Sequence, residues 1–539
     1  MISTDGISLA YGLRSLFQEV SIKFSPGNCY GLIGANGTGK STFLKILSGE
    51  IESDHGTVNI TPGQRLAVLK QNQYEFDEYD VVTTVIMGNK ILYGIISEKD
   101  ALYAKPDFSE EDGMRASELE SAFAEMNGWD AEAQAGTMLS ALGVKEPLHK
   151  LKMKELEAGD KVRVLLSQAL FGNPDVLLLD EPTNNLDVQS IMWLEEFLCE
   201  FKNTVVVVSH DRHFLDKVCT HMADIDFGKI TLYTGNYTFW YQASQLALQQ
   251  RYDKNKKAED KAKELKEFIA RFSANASKSS QATSRKKLLG KLSFEDIKPS
   301  SRKYPHIIFQ EEREAGRDLL ELNSLTGILD GRTLYKGLSL HVSKGEKVAF
   351  VGRDGAPATY LFQMLAGEAE AAGGTYRWGT TTKRAYFPKD NTKFFNTDLN
   401  LINWLREFAT KDSEREEEFV RGFLGKVLFS GEEVQKKVRV LSGGEKVRCM
   451  LARMMMMQPN VLVMDEPTNH LDLESITALN NGLIAYKGTI IFTSQDREFV
   501  NTVATRIIEV TPKGHFDKVV SYDEYLESPA IQEERAKLY

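Results

Sequence analysis

Long hydrophobic runs are missing from this sequence. Nothing approaches the roughly 18 consecutive apolar residues that a membrane helix needs. The longest runs, such as Val176–Leu179 and Val205–Val208, are the length of strands. Cysteine is scarce: Cys29, Cys199, Cys219 and Cys449 are scattered, with no paired ligand spacing. This argues against a zinc site and against a disulfide framework, and for a reducing cytosol. The N-terminus lacks the charged-then-apolar pattern of a signal peptide. Positive charge is not in excess either. A formal net charge of −10 argues against a surface that coats nucleic acid, while leaving room for a local basic patch. A cytoplasmic protein without a membrane part is expected.

What is present is a duplication. At 539 residues the chain is too long for one hydrophobic core. Leu177–Asp187 reads LLLDEPTNNLD and Leu462–Asp472 reads LVMDEPTNHLD. Asp180 and Asp465 lie 285 residues apart, as do His210 and Gln495, and Leu156 and Leu441. Motifs held in register over this span mean two homologous domains. Gly34 and Gly352 lie 318 apart, so the first copy carries about 33 extra residues after its glycine loop. We place them in a helical-looking arm at about 88–128. Short β-branched runs alternate with helical segments in each copy, which predicts α/β layering. The expected division is a first domain over 1–241, a linker over 242–312 and a second domain over 313–539. Gln242–Ala270 is helical in composition, Ser273–Ser284 suits a turn and Lys286–Ile297 suits a returning helix. This predicts a helical hairpin rather than a Gly/Ser-rich tether.

The strand-like Cys29–Ile33 leads into Gly34-Ala-Asn-Gly-Thr-Gly-Lys-Ser41 and a helical Thr42–Leu47. This is a P-loop in its strand–loop–helix setting. Its backbone N–H groups and the helix N-terminus suit phosphate, so Gly34, Asn36, Gly37, Thr38, Gly39 and Thr42 are assigned to ATP. Lys40 would reach the β- and γ-phosphates, and Ser41 would ligate Mg²⁺. After the apolar Val176–Leu179, Asp180 suits a Mg²⁺ role and Glu181 suits orienting and polarising the attacking water.

LSGGEK at 441–446 and DEPTNHLD at 465–472 resemble the signature and Walker B motifs of ABC ATPases. Two such domains with a charged helical linker and no membrane segment resemble the ABC-F family of translation-related ATPases. SANASKSSQATSR at 273–285 and the arm insertion are most similar to its YbiT-like branch. The resemblance implies two ABC-type P-loop domains packed head to tail, with each ATP between the P-loop of one and the signature of the other. Site one would pair Gly34–Thr42 with Ser442, Gly443, Gly444 and Glu445. Tyr11 would stack on adenine, Gln71 would sense Mg²⁺ and the lytic water, His210 would contact the γ-phosphate, and Asp472 would come from the second domain.

Site two departs from that pattern repeatedly. Ala358 stands at the lysine position, and Pro357 replaces a glycine and removes one N–H from the cradle. Asp354 brings a like charge toward phosphate. Lys389 holds the glutamine position, Leu329 the aromatic position and Gln495 the histidine position. The opposing signature, in the first domain, reads Leu156-Glu-Ala-Gly-Asp160. The losses follow one composite site across both domains, which predicts one hydrolysed ATP per cycle.

Between Phe268 and Phe294 no acidic residue occurs, while Arg271, Lys278, Arg285, Lys286, Lys287 and Lys291 are basic. Such a cluster attracts backbone phosphates, or is simply a solvated turn. The family resemblance implies a ribosomal partner, with the linker approaching rRNA and peptidyl-tRNA. The competing reading is the ATPase subunit of a membrane transporter, for which the basic patch has no purpose. A DNA-repair ABC protein would need zinc cysteines or longer coiled coils. Both halves of each site lie on one chain, so a monomer is expected. Met454–Met457, His213, His221, Trp193, Trp240 and Trp378 are assigned to packing or ordinary helix positions.

Overall fold

The computed structural model describes residues 1–272 and 302–538, except Leu13, Asn36, Gln71, Gln73, Asn185, Phe227 and Arg353. The two halves repeat one plan. In the first, a six-stranded sheet runs in the order Leu66–Val68, Val176–Asp180, Thr204–Val208, Cys29–Ile33, His221–Asp226 and Lys229–Thr234. All neighbours are parallel except the last pair. The second half orders Arg384–Phe387, Val461–Asp465, Thr489–Thr493, Lys347–Val351, Arg506–Thr511 and Gly514–Lys518 in the same way. Central strands buried on both faces need continuous apolar runs, and Val176–Leu179, Val205–Val208 and Val461–Met464 are almost fully buried. A smaller antiparallel sheet accompanies each half, built from Ile2–Tyr11, Arg14–Phe24 and His55–Ile60, and from Asp318–Leu329, Arg332–Ser343 and Gly373–Trp378.

The central strand Cys29–Ile33 lies between Thr204–Val208 and His221–Asp226. Carboxyl ends of neighbouring strands in such a sheet open a crevice for ligands. Gly34, Asp180 and Ser209 leave the sheet side by side there.

Residues 90–125 form two helices, Lys90–Tyr103 and Glu110–Glu125, which pack antiparallel. Arg115 pairs with Glu98 at 2.8 Å, Lys99 with Glu120 at 3.3 Å, and the Tyr103 and Phe108 rings stack. Ser109 and Asp112 close the second helix with a reciprocal capping box. In the second half Leu401–Arg406 and Glu417–Lys426 match Val81–Ile86 and Ala131–Ala141 of the first, with the short turn Asp412–Arg415 between them.

One helix of 36 residues, Tyr237–Phe272, leaves the first half. It begins five residues before the start assigned from composition, because Tyr237 and Trp240 are buried in the first half's core. Arg271 lies on this helix; Lys278, Arg285, Lys286, Lys287 and Lys291, with the expected turn and returning helix, lie outside the described residues. Among the described residues no helix is long and apolar enough to cross a membrane. Met454, Met455 and Met456 are buried in the second half's core.

The halves touch. Leu473, from the second half, is a member of the first half's core cluster. The helices Arg212–Val218 and Arg497–Val503 meet at the join, each capped by an aspartate, Asp211 and Asp496.

Candidate functional site

The phosphate loop is shaped by its glycines. Gly39 precedes the helix Lys40–Leu47 with φ of 101°, and a Cβ there would lie 2.8 Å from the Phe17 ring. A Cβ on Gly34 would lie 2.7 Å from the Thr38 hydroxyl and 2.9 Å from the Ile225 carbonyl. Lys40 folds back over the loop and donates to the Gly34 carbonyl at 2.8 Å. Burial lowers its pKa, opposed by the charges of Glu181 and of Glu474 and Asp472, two carboxylates from the second half. Lys40 and Asp472, 432 positions apart in sequence, therefore share one electrostatic environment.

Glu181 follows the strand Val176–Asp180 with φ of 51°, a left-handed backbone that side chains rarely adopt. Its amide bonds the Val208 carbonyl, and its Oε2 accepts from the His210 backbone N–H at 3.2 Å. The His210 ring stands 3.3 Å from Oε1. Burial, with the adjacent Asp180 charge, pushes the Glu181 carboxyl up to about 8. Burial and the Lys40 charge push His210 down to about 4, against the pull of Asp472. Its Nδ1 is buried and has no hydrogen-bond partner among the described residues. A neutral imidazole and a lysine that, among the described residues, bonds the loop carbonyls of Gly34 and Ala35 fit an anionic ligand between them. Ser41 and Asp180 line one cavity beside the loop. Tyr11 is 56% exposed at the end of its strand, as a stacking ring must be. Asn36 and Gln71 lie outside the described residues.

Ser442 caps the helix Gly443–Met456. Its hydroxyl donates to Glu445 at 2.8 Å and accepts the Glu445 N–H at 3.4 Å. A Cβ on Gly444 would lie 2.8 Å from the His470 carbonyl, so the signature rests against the loop that carries Asp472. The altered signature has no such cap: Glu157 precedes the helix Ala158–Leu170 without a side-chain bond to it.

The second P-loop has a different interior. Pro357 opens the helix Ala356–Ala366, and Ala358 is buried at the lysine position. Asp354 is engaged by the Ala356 N–H at 2.9 Å and by Arg332 at 2.9 Å. The hydroxyl of Thr359, the counterpart of Ser41, stands near Asp465 and counters the rise that burial gives its pKa. Thr493 donates to Asp465, at 2.8 Å, from a position held by Val208 in the first half. Lys389 brings positive charge to Asp465 and Glu466; burial nevertheless pushes Glu466 up to about 7. Thr493 thus takes up Asp465 Oδ1, while Oδ2 is buried with no hydrogen-bond partner among the described residues. Thr359 and Thr493 were missed from sequence, although aligning the halves at 285 and 318 residues exposes both.

Two P-loop halves of this construction, joined head to tail across Lys40 and Asp472, define a tandem ABC ATPase. Models of the ABC transporter family match residues 17–184 and 335–469, and another of that description covers 223–309. The chain is 60% identical over 540 residues to the uncharacterized ABC transporter ATP-binding protein YkpA of Bacillus subtilis strain 168, covering 100% of both. It is 45% identical over 532 residues to the probable ATP-binding protein YbiT of Escherichia coli O157:H7, covering 99% of this chain and 100% of that one. The solved structure of RNase-L Inhibitor shares the fold, with TM-score 0.59 and 17% identity over 95% of this chain and 90% of that one. The chain belongs to the ABC-F family, in its YbiT-like branch, and is an ATPase.

Proposed function

We propose that the chain hydrolyses one ATP per cycle, at the site between the first P-loop and the second signature, and acts on the ribosome. The observation that carries the first part is the position of Asp472 and Glu474 of the second half in the surroundings of Lys40. Ser442, Gly443, Gly444 and Glu445 complete the site from the same side as Asp472. Gly34, Asn36, Gly37, Thr38, Gly39, Lys40 and Thr42 bind the phosphates, and Tyr11 stacks on the base. Mg²⁺ supplies charge neutralisation at the phosphate oxygens, and Ser41, Asp180 and Gln71 are the residues to hold it. Glu181 accepts a hydrogen bond from the attacking water, orienting and polarising it, while neutral His210 contacts the γ-phosphate. Site two carries no hydrolysis.

The ribosomal part is supported by family membership and by the run from Phe268 to Phe294, which has six basic and no acidic residues. Arg271, Lys278, Arg285, Lys286, Lys287 and Lys291 contact rRNA and peptidyl-tRNA in this reading, from a cytoplasmic, monomeric protein. A transporter subunit is the alternative, favoured by the descriptions of the YkpA relative and the matching family models.

Glu181→Gln should abolish turnover while retaining ATP. With ATP it should co-sediment with ribosomes, and rising salt should release it steeply. Substantial remaining hydrolysis sinks the site assignment. Recovery with a membrane permease in detergent, without ribosome association, selects the transporter reading.

A further inference from the structure

The first half's phosphate loop is tied to the linker through one carboxylate. Asp224 lies opposite Ile33, the residue before Gly34. The Trp240 indole N–H donates to its Oδ2 at 3.2 Å. Arg302 donates from Nη1 to Oδ2 at 2.9 Å and from Nη2 to Oδ1 at 2.6 Å. The guanidinium also lies 4.5 Å from the Trp240 ring centroid. Trp240 belongs to the helix Tyr237–Phe272, and Arg302 is the first described residue after 273–301. The chain thus enters and leaves its linker at the same place. From there the Arg302 Nε reaches the second half, 2.8 Å from Glu474 Oε1. Glu474 lies two residues beyond Asp472, in the first turn of the helix Leu473–Ala485. Asp224, Arg302 and Glu474 are each at least 90% buried at the side chain.

The floor of site two is built differently. Glu509 takes the place of Asp224, and its arginine, Arg535 at 2.8 Å, comes from the helix Pro529–Ala536 of the same half. The Tyr525 hydroxyl donates to the same carboxylate at 2.7 Å. Gln189 stands at the Glu474 position, on the wall of a cavity of about 390 Å³ shared with Gly352 and Arg535. The difference in floor chemistry follows the difference between the two sites.

We propose that Arg302 is a positioning residue that joins closure of the two halves over Lys40 to the base of the linker. The inference rests on the reading that ATP binds at site one. In the closed arrangement Arg302 is ion-paired with carboxylates from both halves; separation takes Glu474 away and leaves a buried charge short of one partner, which is costly. Closure and linker position are therefore linked, and the linkage acts in both directions.

The test uses full-length Glu181→Gln protein, ATP affinity by equilibrium binding, and tryptophan fluorescence. Adding Glu474→Gln should weaken ATP binding about 5–150-fold. Arg302→Ala should do the same, and the double variant should be no worse than either single one. Arg302→Lys, which keeps the charge but loses the fork, should fall between. The ATP-induced fluorescence change that Trp240→Phe removes should also vanish in Glu474→Gln. Thermal unfolding without nucleotide separates these effects from misfolding, and isosteric Glu474→Gln keeps the test open if Arg302→Ala does not fold. Glu474 acting only as an acid near phosphate predicts the opposite sign, tighter ATP binding in Glu474→Gln. Tighter or unchanged binding, or additive losses, overturns the proposal. If Glu181→Gln itself retains no ATP, the reading of site one falls first.

Discussion

Glu181 and Glu466 hold the same left-handed backbone, with φ of 51° in both. That conformation costs on the order of 1–3 kcal/mol, and it turns each carboxylate toward the crevice. What differs is what faces it: Lys40 and His210 in one half, Lys389 and Gln495 in the other. Restoring one group should therefore not restore the second site. We expect Ala358→Lys to leave nucleotide stoichiometry at one ATP per chain in a Glu181→Gln background, measured by bound nucleotide after gel filtration. Two ATP per chain would mean that the missing lysine alone disables site two. Local motifs made Lys40, Glu181 and the loss at Ala358 legible in the sequence. Arg302 and Glu474 were not, because their roles come from partners that only the folded chain supplies. Glu474 reads as an ordinary acid in the first turn of a helix until Arg302 arrives beside it.

At the scale of elements, the helices Arg212–Val218 and Arg497–Val503 bring their capping aspartates together. Burial pushes Asp211 up to about 7 from 3.8, with Asp496 the next cause, and Asp496 is raised in turn by burial. Arg212, His213 and Glu195 complete the charged surroundings of the pair. An acid whose folded-state pKa is raised stabilises the folded arrangement at low pH, and that contribution is lost as pH rises from about 4 through about 7. Asn keeps the helix cap and removes the charge. Asp211→Asn should therefore gain Tm relative to the parent between pH 5 and pH 8, by a few degrees, in thermal scans at both values. A pH-independent difference would exclude the facing pair as its source. Composition foretold the long helix but set its start at Gln242; the apolar anchors Tyr237 and Trp240 extend it into the first half's core. Trp240, assigned to packing, also donates to Asp224, a polar role its residue type alone does not reveal.

For the whole molecule, the head-to-tail join makes each half depend on the other. Leu473 fills the first half's core, and Asp472 beside it faces Lys40. Ser442→Arg should accordingly abolish hydrolysis at a site whose water-polarising glutamate lies in the other half, with kcat as the measurement and folding checked by thermal unfolding. Turnover at the parental rate would mean that the signature does not complete site one. The duplication was readable because the 285-residue register runs through three motifs. The join was expected from the family resemblance and not from any motif of this chain, and the seat of Leu473 in the first half's core was not foreseen.

The helix Tyr237–Phe272 turns that join into reach. At 1.5 Å per residue its 36 residues extend about 54 Å from the anchored Tyr237 end. A pivot of about 10° at that end carries the far end through roughly 9 Å, several times the length of a hydrogen bond. Angular adjustments too slight to disturb the packed sheets would thus be magnified, by leverage alone, into displacements on the scale of a nucleotide.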